Sequence, residues 1–231
     1  MNNNTYAQMQ KTQYSSGTSN HEEHNNNPDY WDVLLSDLKN KDLWEGKKAL
    51  DFGCGKGRNV INMFNLCSWA GVDGIDISGG NIDYCNKTYI GYSTKWYCNN
   101  GTDVSDLKSN EYDFIMSTIT LQHIPVYSIR KSLITDLLRT LKSGGLFSFQ
   151  VPYGEGLKPG KLASINNKIS SYYENSYDAV GTNSAHDFRV NNEQDIINDL
   201  KEIGFTNVET IIKPSYSDYN HEEWIYVKAY K

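Results

Sequence analysis

Asp51-Phe52-Gly53-Cys54-Gly55-Lys56-Gly57-Arg58-Asn59 is the stretch on which the fold turns. It follows a short apolar run, Lys48-Ala49-Leu50-Asp51-Phe52, and precedes Val60 to Leu66, where Val60, Ile61 and Phe64 recur at helical spacing. A strand therefore meets a helix through a glycine loop. Glycines suit that position because the turn is tight and a ligand must approach the backbone closely. In an open α/β sheet, ligands bind beyond the carboxyl ends of the strands. A dinucleotide fingerprint, G-x-G-x-x-G, would require a third glycine at position 58, where Arg58 stands. The glycines fall instead at 53, 55 and 57, with Asp51 just ahead of them.

Outward from the loop, strands and helices alternate. Ala70 to Ile77 reads as a second strand, Asn81 to Thr88 as a helix, Lys95 to Cys98 as a third strand and Tyr112 to Ser117 as a fourth. Val126 to Leu141 is a long amphipathic helix with Ile129, Leu133, Leu137, Leu138 and Leu141 on one face, and Lys142-Ser143-Gly144-Gly145 reads as its glycine C-cap. Leu146 to Val151 is a fifth strand. Asn191 to Ile203 is a last helix capped by Gly204, and Thr206 to Lys213 and Glu223 to Tyr230 pair as an antiparallel hairpin. Strands alternating with helices predict an α/β fold, a mainly parallel sheet covered on both faces.

Two segments stand outside this rhythm. Residues 1–28 are rich in Asn, Gln, Ser and Thr, which reads as a flexible N-terminal arm. Its aromatics Tyr6 and Tyr14 keep open the alternative of a lid over a ligand. From Asp29 the pattern changes, and Trp31, Leu34, Leu35 and Leu38 predict a helix stopped near Gly46, so that 29–231 forms one domain. Residues 152–187, with glycines, a proline and several tyrosines, are long for a connection. They read as a partly helical lid or acceptor-binding insertion.

A net charge of −6 over 231 residues disfavours a nucleic-acid partner. The four cysteines, 54, 67, 85 and 98, form no C-x-x-C pair and suit free thiols in a reducing cytoplasm. No stretch is apolar enough to span a bilayer, and the N-terminus does not resemble a signal peptide. The expectation is a cytoplasmic protein, monomer or homodimer, without membrane contact. His21-Glu22-Glu23-His24 is not H-E-x-x-H, and no metal is expected there.

Ala49 through Asn59 resembles motif I of the class I S-adenosylmethionine-dependent methyltransferases, in which D-x-G-C-G-x-G is a common form. Further segments follow in the family's order: Gly74-Ile75-Asp76-Ile77-Ser78, Thr102-Asp103-Val104, Asp113 to Thr118 with Leu121-Gln122-His123-Ile124, and Leu141 to Phe147. His186-Asp187-Phe188-Arg189 leading to Glu202-Ile203-Gly204-Phe205 resembles the family's last helix and exit. The resemblance implies a Rossmann-like seven-stranded sheet ending in an antiparallel hairpin. It also implies S-adenosyl-L-methionine as cofactor and S-adenosyl-L-homocysteine as product.

By that resemblance the glycines at 53, 55 and 57, with Cys54, admit the cofactor; Asp51 lies near its amino group; and Asp76, followed by Ile77, holds the ribose hydroxyls. Asp103 and the Val104 amide meet the adenine, and Ser117 flanks the methionine end. If the acceptor is a hydroxyl, His123 is the first candidate base and His186 the second, against a packing role for the Leu-Gln-His-Ile segment. Arg189 is a candidate for an anionic acceptor group, and Tyr153, Tyr172, Tyr173 and Tyr177 either wall an acceptor pocket or pin the insertion. The function expected is methyl transfer to a small molecule, with a sugar or secondary metabolite favoured. The alternatives are a protein or RNA methyltransferase, a non-catalytic cofactor-binding protein, or a nicotinamide oxidoreductase.

Overall fold

The protein's structure is a computed structural model that describes residues 1–15, 30–157, 169–177, 187–215 and 221–231. Seven strands make one sheet: β1 (Lys48–Phe52), β2 (Gly71–Asp76), β3 (Trp96–Cys98), β4 (Tyr112–Ser117), β5 (Leu141–Leu157), β6 (Thr206–Pro214) and β7 (His221–Tyr230). Their order is β3-β2-β1-β4-β5-β7-β6. The first five run parallel, and β7 enters antiparallel between β5 and β6. The helices are α1 (Asn3–Gln13), α2 (Arg58–Leu66), α3 (Gly79–Thr88), α4 (Tyr127–Thr140) and α5 (Glu193–Ile203).

Alternate residues of the central strands feed two cores, as a pleated sheet covered on both faces requires. Leu50, Ile115, Phe147, Ile225 and Val227 pack with Ile129, Leu133 and Leu137 of α4 and Ile196 and Leu200 of α5. Ala49, Phe114, Met116, Leu146 and Trp224 pack with Val60 and Met63 of α2 and Ile82 of α3. β1 and β2 are buried along almost their whole length, which is why they read as continuous apolar runs. Apart from the site, the buried charge in β2 is Asp73, which accepts from the Lys95 amide at 2.8 Å and the Tyr112 hydroxyl at 2.8 Å. The chain leaves β1 toward β2 and β3 and returns on the other side to β4. The ends of β1 and β4 are thus the point where connection direction reverses.

Three expectations change. The helix predicted from Trp31, Leu34, Leu35 and Leu38 is a five-residue π turn, Tyr30–Leu34, followed by short 3-10 turns at Ser36–Lys39 and Lys41–Leu43. Carbonyls that a continuing helix needs are given away: Leu34 O accepts from Ser148 Oγ at 2.8 Å and Asp37 O from Trp44 Nε1 at 2.8 Å. The apolar residues are buried all the same, with Leu34, Leu35 and Leu38 in the second core. Nor do Gly144 and Gly145 cap α4. The helix stops at Thr140, Leu141 is already extended, and both glycines bond to Lys231 at the end of the chain. Finally, residues 3–13, whose composition favours a tail, form α1, capped by the Asn2 side chain on Thr5 N and buried through Tyr6 and Ala7.

The described part of the insertion contains no helix. β5 continues through it to Leu157, and isolated bridges join Val126 to Asn175, Ser170 to Phe188 and Tyr153 to Val190. Its tyrosines act as pins: the Tyr172 and Tyr127 hydroxyls share Asp199 at 2.8 and 2.7 Å, and Tyr177 reaches Asn3 Oδ1 at 2.5 Å. Arg130, buried beneath them, bonds to the Ile124 and Tyr172 carbonyls and lies 3.5 Å from the Phe188 ring centroid. Phe114 is wholly buried against Trp44 and Trp69. Phe114→Ala should cost about 3–5 kcal/mol, seen as a lower denaturation midpoint at unchanged slope.

Candidate active site

The loop after β1 takes its shape from the neighbouring strand. Gly53 N and Cys54 N both donate to Ile75 O, at 2.8 and 3.1 Å, so the β1–β2 ladder runs on past the end of β1. Gly53, Gly55 and Gly57 all have positive φ, +80°, +53° and +83°, which a side chain would strain. Gly57 precedes α2, and a Cβ there would meet the Trp96 and Tyr89 rings at 2.7 Å. Asp76 ends β2, and its two oxygens accept from Gly55 N at 2.9 Å and Ser78 N at 2.8 Å. Ser78 caps α3 by accepting from Asn81 N, which leaves Asp76 free for the loop.

A cavity of about 350 Å³ opens over the carboxyl ends of β1, β2, β3 and β4. Phe52 to Lys56, Asp76, Ile77, Asn99, Gly101 and Thr118 to Thr120 line its floor, with Arg58 and Asn59 at the start of α2. Tyr6, Ala7 and Gln10 of α1, with Tyr14 just past its end, close it from above, and His123, Ile124, Ile129 and Leu133 from the side. Ile119 sits in the left-handed region at φ +52°, a strained conformation for a β-branched residue. Strain of that kind costs about 1–3 kcal/mol and clusters at functional sites.

The electrostatics of the floor are unusual. Asp51 is fully buried and neither carboxylate oxygen completes a hydrogen bond. Burial pushes its carboxyl up to about 7, with Asp76 adding to the effect and Arg58 and the Asn59 side chain opposing it. Burial also raises Asp76, against the bonds from Ser78, Gly55 and Asn81.

At the side wall, Asp187 joins two imidazoles: Oδ1 to His123 Nδ1 at 2.7 Å and Oδ2 to His221 Nε2 at 2.9 Å. Burial alone would lower the His123 pKa, but the charge and hydrogen bond of Asp187 outweigh it and raise it above the ordinary value. Burial would raise Asp187, but His123 and then His221 pull it down to about 2.

Of the residues singled out in the sequence, Gly53, Cys54, Gly55, Asp76, Ile77 and His123 meet at this cavity. Asp51 and Gly57 support the loop beside it. Ser117 is buried, with its hydroxyl on Phe52 O at 3.0 Å, and braces β4 against β1. Asp103 and Val104 do not reach the cavity wall, where Asn99 and Gly101 stand instead. The Asp103 carboxylate closes on its own turn, and bonds from Ser105 foremost and then Asn100 hold it at about 2 against burial. The Val104 amide goes to Asp136 Oδ2 at 2.8 Å and its side chain to the core. Tyr153, Tyr172, Tyr173 and Tyr177 are likewise absent from the wall, and Arg189 bonds to Glu155 O at 2.6 Å. His186 and the His21–His24 segment lie outside the described residues. Tyr6 and Tyr14, the aromatics of the N-terminal arm, also line the cavity, whereas nothing in the sequence marks Asn99 or His221, and Asp187 stands out only within the His-Asp-Phe-Arg segment.

A parallel sheet with this order and a glycine loop at its switch point defines a nucleoside-binding α/β domain of the Rossmann-like class. Residues 50–149 match the family model described as a methyltransferase domain. With the sheet order and motif I, that match supports a class I S-adenosylmethionine-dependent methyltransferase domain over residues 50–149. A curated relative, carboxy-S-adenosyl-L-methionine synthase of Campylobacter fetus, is 32% identical over 127 residues, 53% of this chain. The chain spans about half that relative's length, 52%.

The fold is similar to an S-adenosylmethionine-dependent methyltransferase from Mesorhizobium loti, at TM-score 0.63 and 16% identity over 90% of this chain and 99% of that one. It is also similar to phosphoethanolamine N-methyltransferase 2 of Haemonchus contortus, solved with S-adenosyl-L-methionine, at TM-score 0.58 and 15% identity over 99% of this chain and 57% of that one. S-adenosyl-L-methionine is the cofactor of such a domain, and the residues present fit it. An orphaned buried carboxylate, Asp51, suits an ammonium, and Asp76 retains lone pairs at the cavity edge for hydroxyl donors. Among the described residues, no helix is long and apolar enough to cross a membrane.

Asp76→Ala removes the bond to Gly55 N and should weaken S-adenosylhomocysteine binding by about ten-fold or more in calorimetry. Asp103→Ala, outside the cavity, should leave it within about two-fold.

Proposed function

We propose that this chain transfers a methyl group from S-adenosyl-L-methionine to a small-molecule acceptor. The observation that carries the reading is that the glycine loop, the buried acid Asp76 and an imidazole backed by a carboxylate all meet in one roofed cavity. A cavity closed by α1 favours an acceptor that fits inside over a protein or RNA chain, and the charge of −6 agrees. Residues 1–28 and 152–187 serve in this reading as the lid and insertion that select the acceptor.

Bound in the cavity, the cofactor supplies a methyl group on a positively charged sulfur. Asp51 in its ionised form holds the amino group, Asp76 the ribose hydroxyls, and Ile77 with Asn99 and Gly101 the base. α1 and the apolar side chains Ile124, Ile129 and Leu133 exclude water. His123 Nε2 accepts the acceptor's proton as the new bond to the methyl carbon forms. The chain's contribution is thus orientation, a dry site and a base.

Two results test the reading. With radiolabelled cofactor and a metabolite extract, label should enter a small molecule, and His123→Ala should slow that transfer by about 10²–10⁴-fold. Transfer at the parent rate would remove His123 from the reaction. Because the apo Asp51 carboxyl titrates near 7, pairing with an ammonium must lower its pKa and release a proton on binding. Calorimetry of S-adenosylhomocysteine in buffers of different ionisation enthalpy should show that release just below pH 7, with loss of the effect at alkaline pH and in Asp51→Asn.

A further inference from the structure

We infer that Asp187, bonded between His123 and His221, is a positioning residue that fixes His123 as a base, and that the acceptor group is therefore a hydroxyl. The inference deepens the proposed function and rests on it. Asp187 is buried, and three donors converge on it: His123 Nδ1 at 2.7 Å, His221 Nε2 at 2.9 Å and Gln122 Nε2 at 3.3 Å.

An ionised carboxylate only accepts hydrogen bonds. Protons must therefore sit on His123 Nδ1 and His221 Nε2, which settles both tautomers by elimination. In neutral His123 the remaining nitrogen, Nε2, carries a lone pair. The His123 side chain is 29% exposed and lines the cavity, whereas that of His221 is 3% exposed and does not. One imidazole thus works at the cavity and the other stands behind the carboxylate.

The three residues come from distant parts of the chain. His123 ends the turn after β4, Asp187 ends the insertion and His221 opens β7. Phe188 N donates to Gln122 O at 3.0 Å, which holds the Asp187 backbone against the turn. The groups that bear on His123 are Asp187 and, behind it, His221. Tyr14, just past the end of α1, lines the same cavity, and burial and then Asp187 and Asp76 raise its pKa, so it stays a neutral phenol near pH 7. Lys56 and Arg58 are the cationic side chains on the cavity wall.

A backed base contributes most when the acceptor must lose its proton as it attacks, as a hydroxyl must. A neutral amine attacks through its own lone pair and sheds its proton afterwards. A hydroxyl is a poor nucleophile until its proton leaves. In the step, the acceptor oxygen bonds to the methyl carbon, the carbon–sulfur bond breaks with its electron pair going to sulfur, and the hydroxyl proton passes to His123 Nε2. The product is a methyl ether beside a neutral thioether. The imidazolium formed faces the Asp187 carboxylate and later yields its proton to water.

The test uses the full chain saturated with S-adenosylhomocysteine. Nitrogen-15 spectra of the imidazoles should show His123 as the Nδ1–H tautomer, titrating above its ordinary value. Asp187→Asn should lower that midpoint by about one pH unit or more, and Asp187→Glu should restore part of it. Retained S-adenosylhomocysteine affinity shows that each variant is folded. A role confined to packing would leave the midpoint in place, and that result would overturn the positioning assignment, as would an Nε2–H tautomer.

For the acceptor, carbon-13-methyl cofactor and a metabolite extract serve as the probe. A new methoxy carbon signal is expected, with the acid limb of its rate moved to lower pH in Asp187→Asn; an N-methyl signal, or none, overturns the hydroxyl assignment. If the parent chain does not bind S-adenosylhomocysteine at all, it is the proposed function that falls. If it binds and the imidazole results fail, only the relay falls.

Discussion

Everything at the cofactor end depends on one buried carboxylate, Asp76, which accepts from Gly55 N and Ser78 N at once. Those two bonds lock the bend after β1 to the start of α3, so two crossover connections move as one body. The loop otherwise consists of residues with few side-chain contacts and with backbone conformations that only glycine takes without strain. Without an anchor such a loop would sample many shapes, and each binding event would bear the cost of ordering it. The carboxylate is itself raised by burial, so the anchor is kept at a cost that its three donors offset.

Asp51 is the complementary case. It lies one strand away, and burial pushes its carboxyl up to about 7 against the opposing effects of Arg58 and the Asn59 side chain. An unpaired buried ion is among the costlier features a fold can carry. Folded stability from this group is greatest below its unfolded pKa and declines as pH rises toward 7, the opposite of the usual buried, partnered acid. Asp187 shows that usual behaviour, held at about 2, and its contribution is lost only in strong acid. The fold thus spends stability at Asp51 and recovers it at Asp187. The first carboxyl is pushed up by burial, while the second is held down by its donors.

This division also explains how much could be read from the sequence. β1, β2 and β4 were legible because parallel strands buried on both faces must be continuous apolar runs, and the loop was legible because only glycine tolerates its backbone. The closing hairpin followed from the lack of room for a helix between its strands. The relay was not legible: Asp187 lies 64 residues from His123 and 34 from His221, and no local periodicity encodes such a meeting. Asp103 misled for a related reason. Short polar neighbours, Asn100, Thr102 and Ser105, satisfy its carboxylate within the turn, so a motif position in sequence is not a position on the wall. The segment from residue 30 to 43 kept its apolar faces yet lost its helix, because tertiary partners took the carbonyls.

The roof of the site obeys different physics from its floor. α1 is polar over most of its length and buries only Tyr6 and Ala7. It is tied down by single bonds to scattered points: Lys11 to Asn99 O, Ser15 O to Gly80 N, and Asn3 to Ser128 and Tyr177. Single bonds of this kind contribute about 0.5–1.5 kcal/mol each, whereas every strand of the floor is fixed by a ladder and two cores. The free energy of lifting α1 therefore lies far below that of disturbing the sheet, and opening can occur without loosening Asp76, Asp51 or the relay. The roof and the floor thus differ in how firmly each is attached. That difference follows from placing the two buried carboxylates on strand ends and the aromatics that cover them on a helix whose stability is almost wholly borrowed.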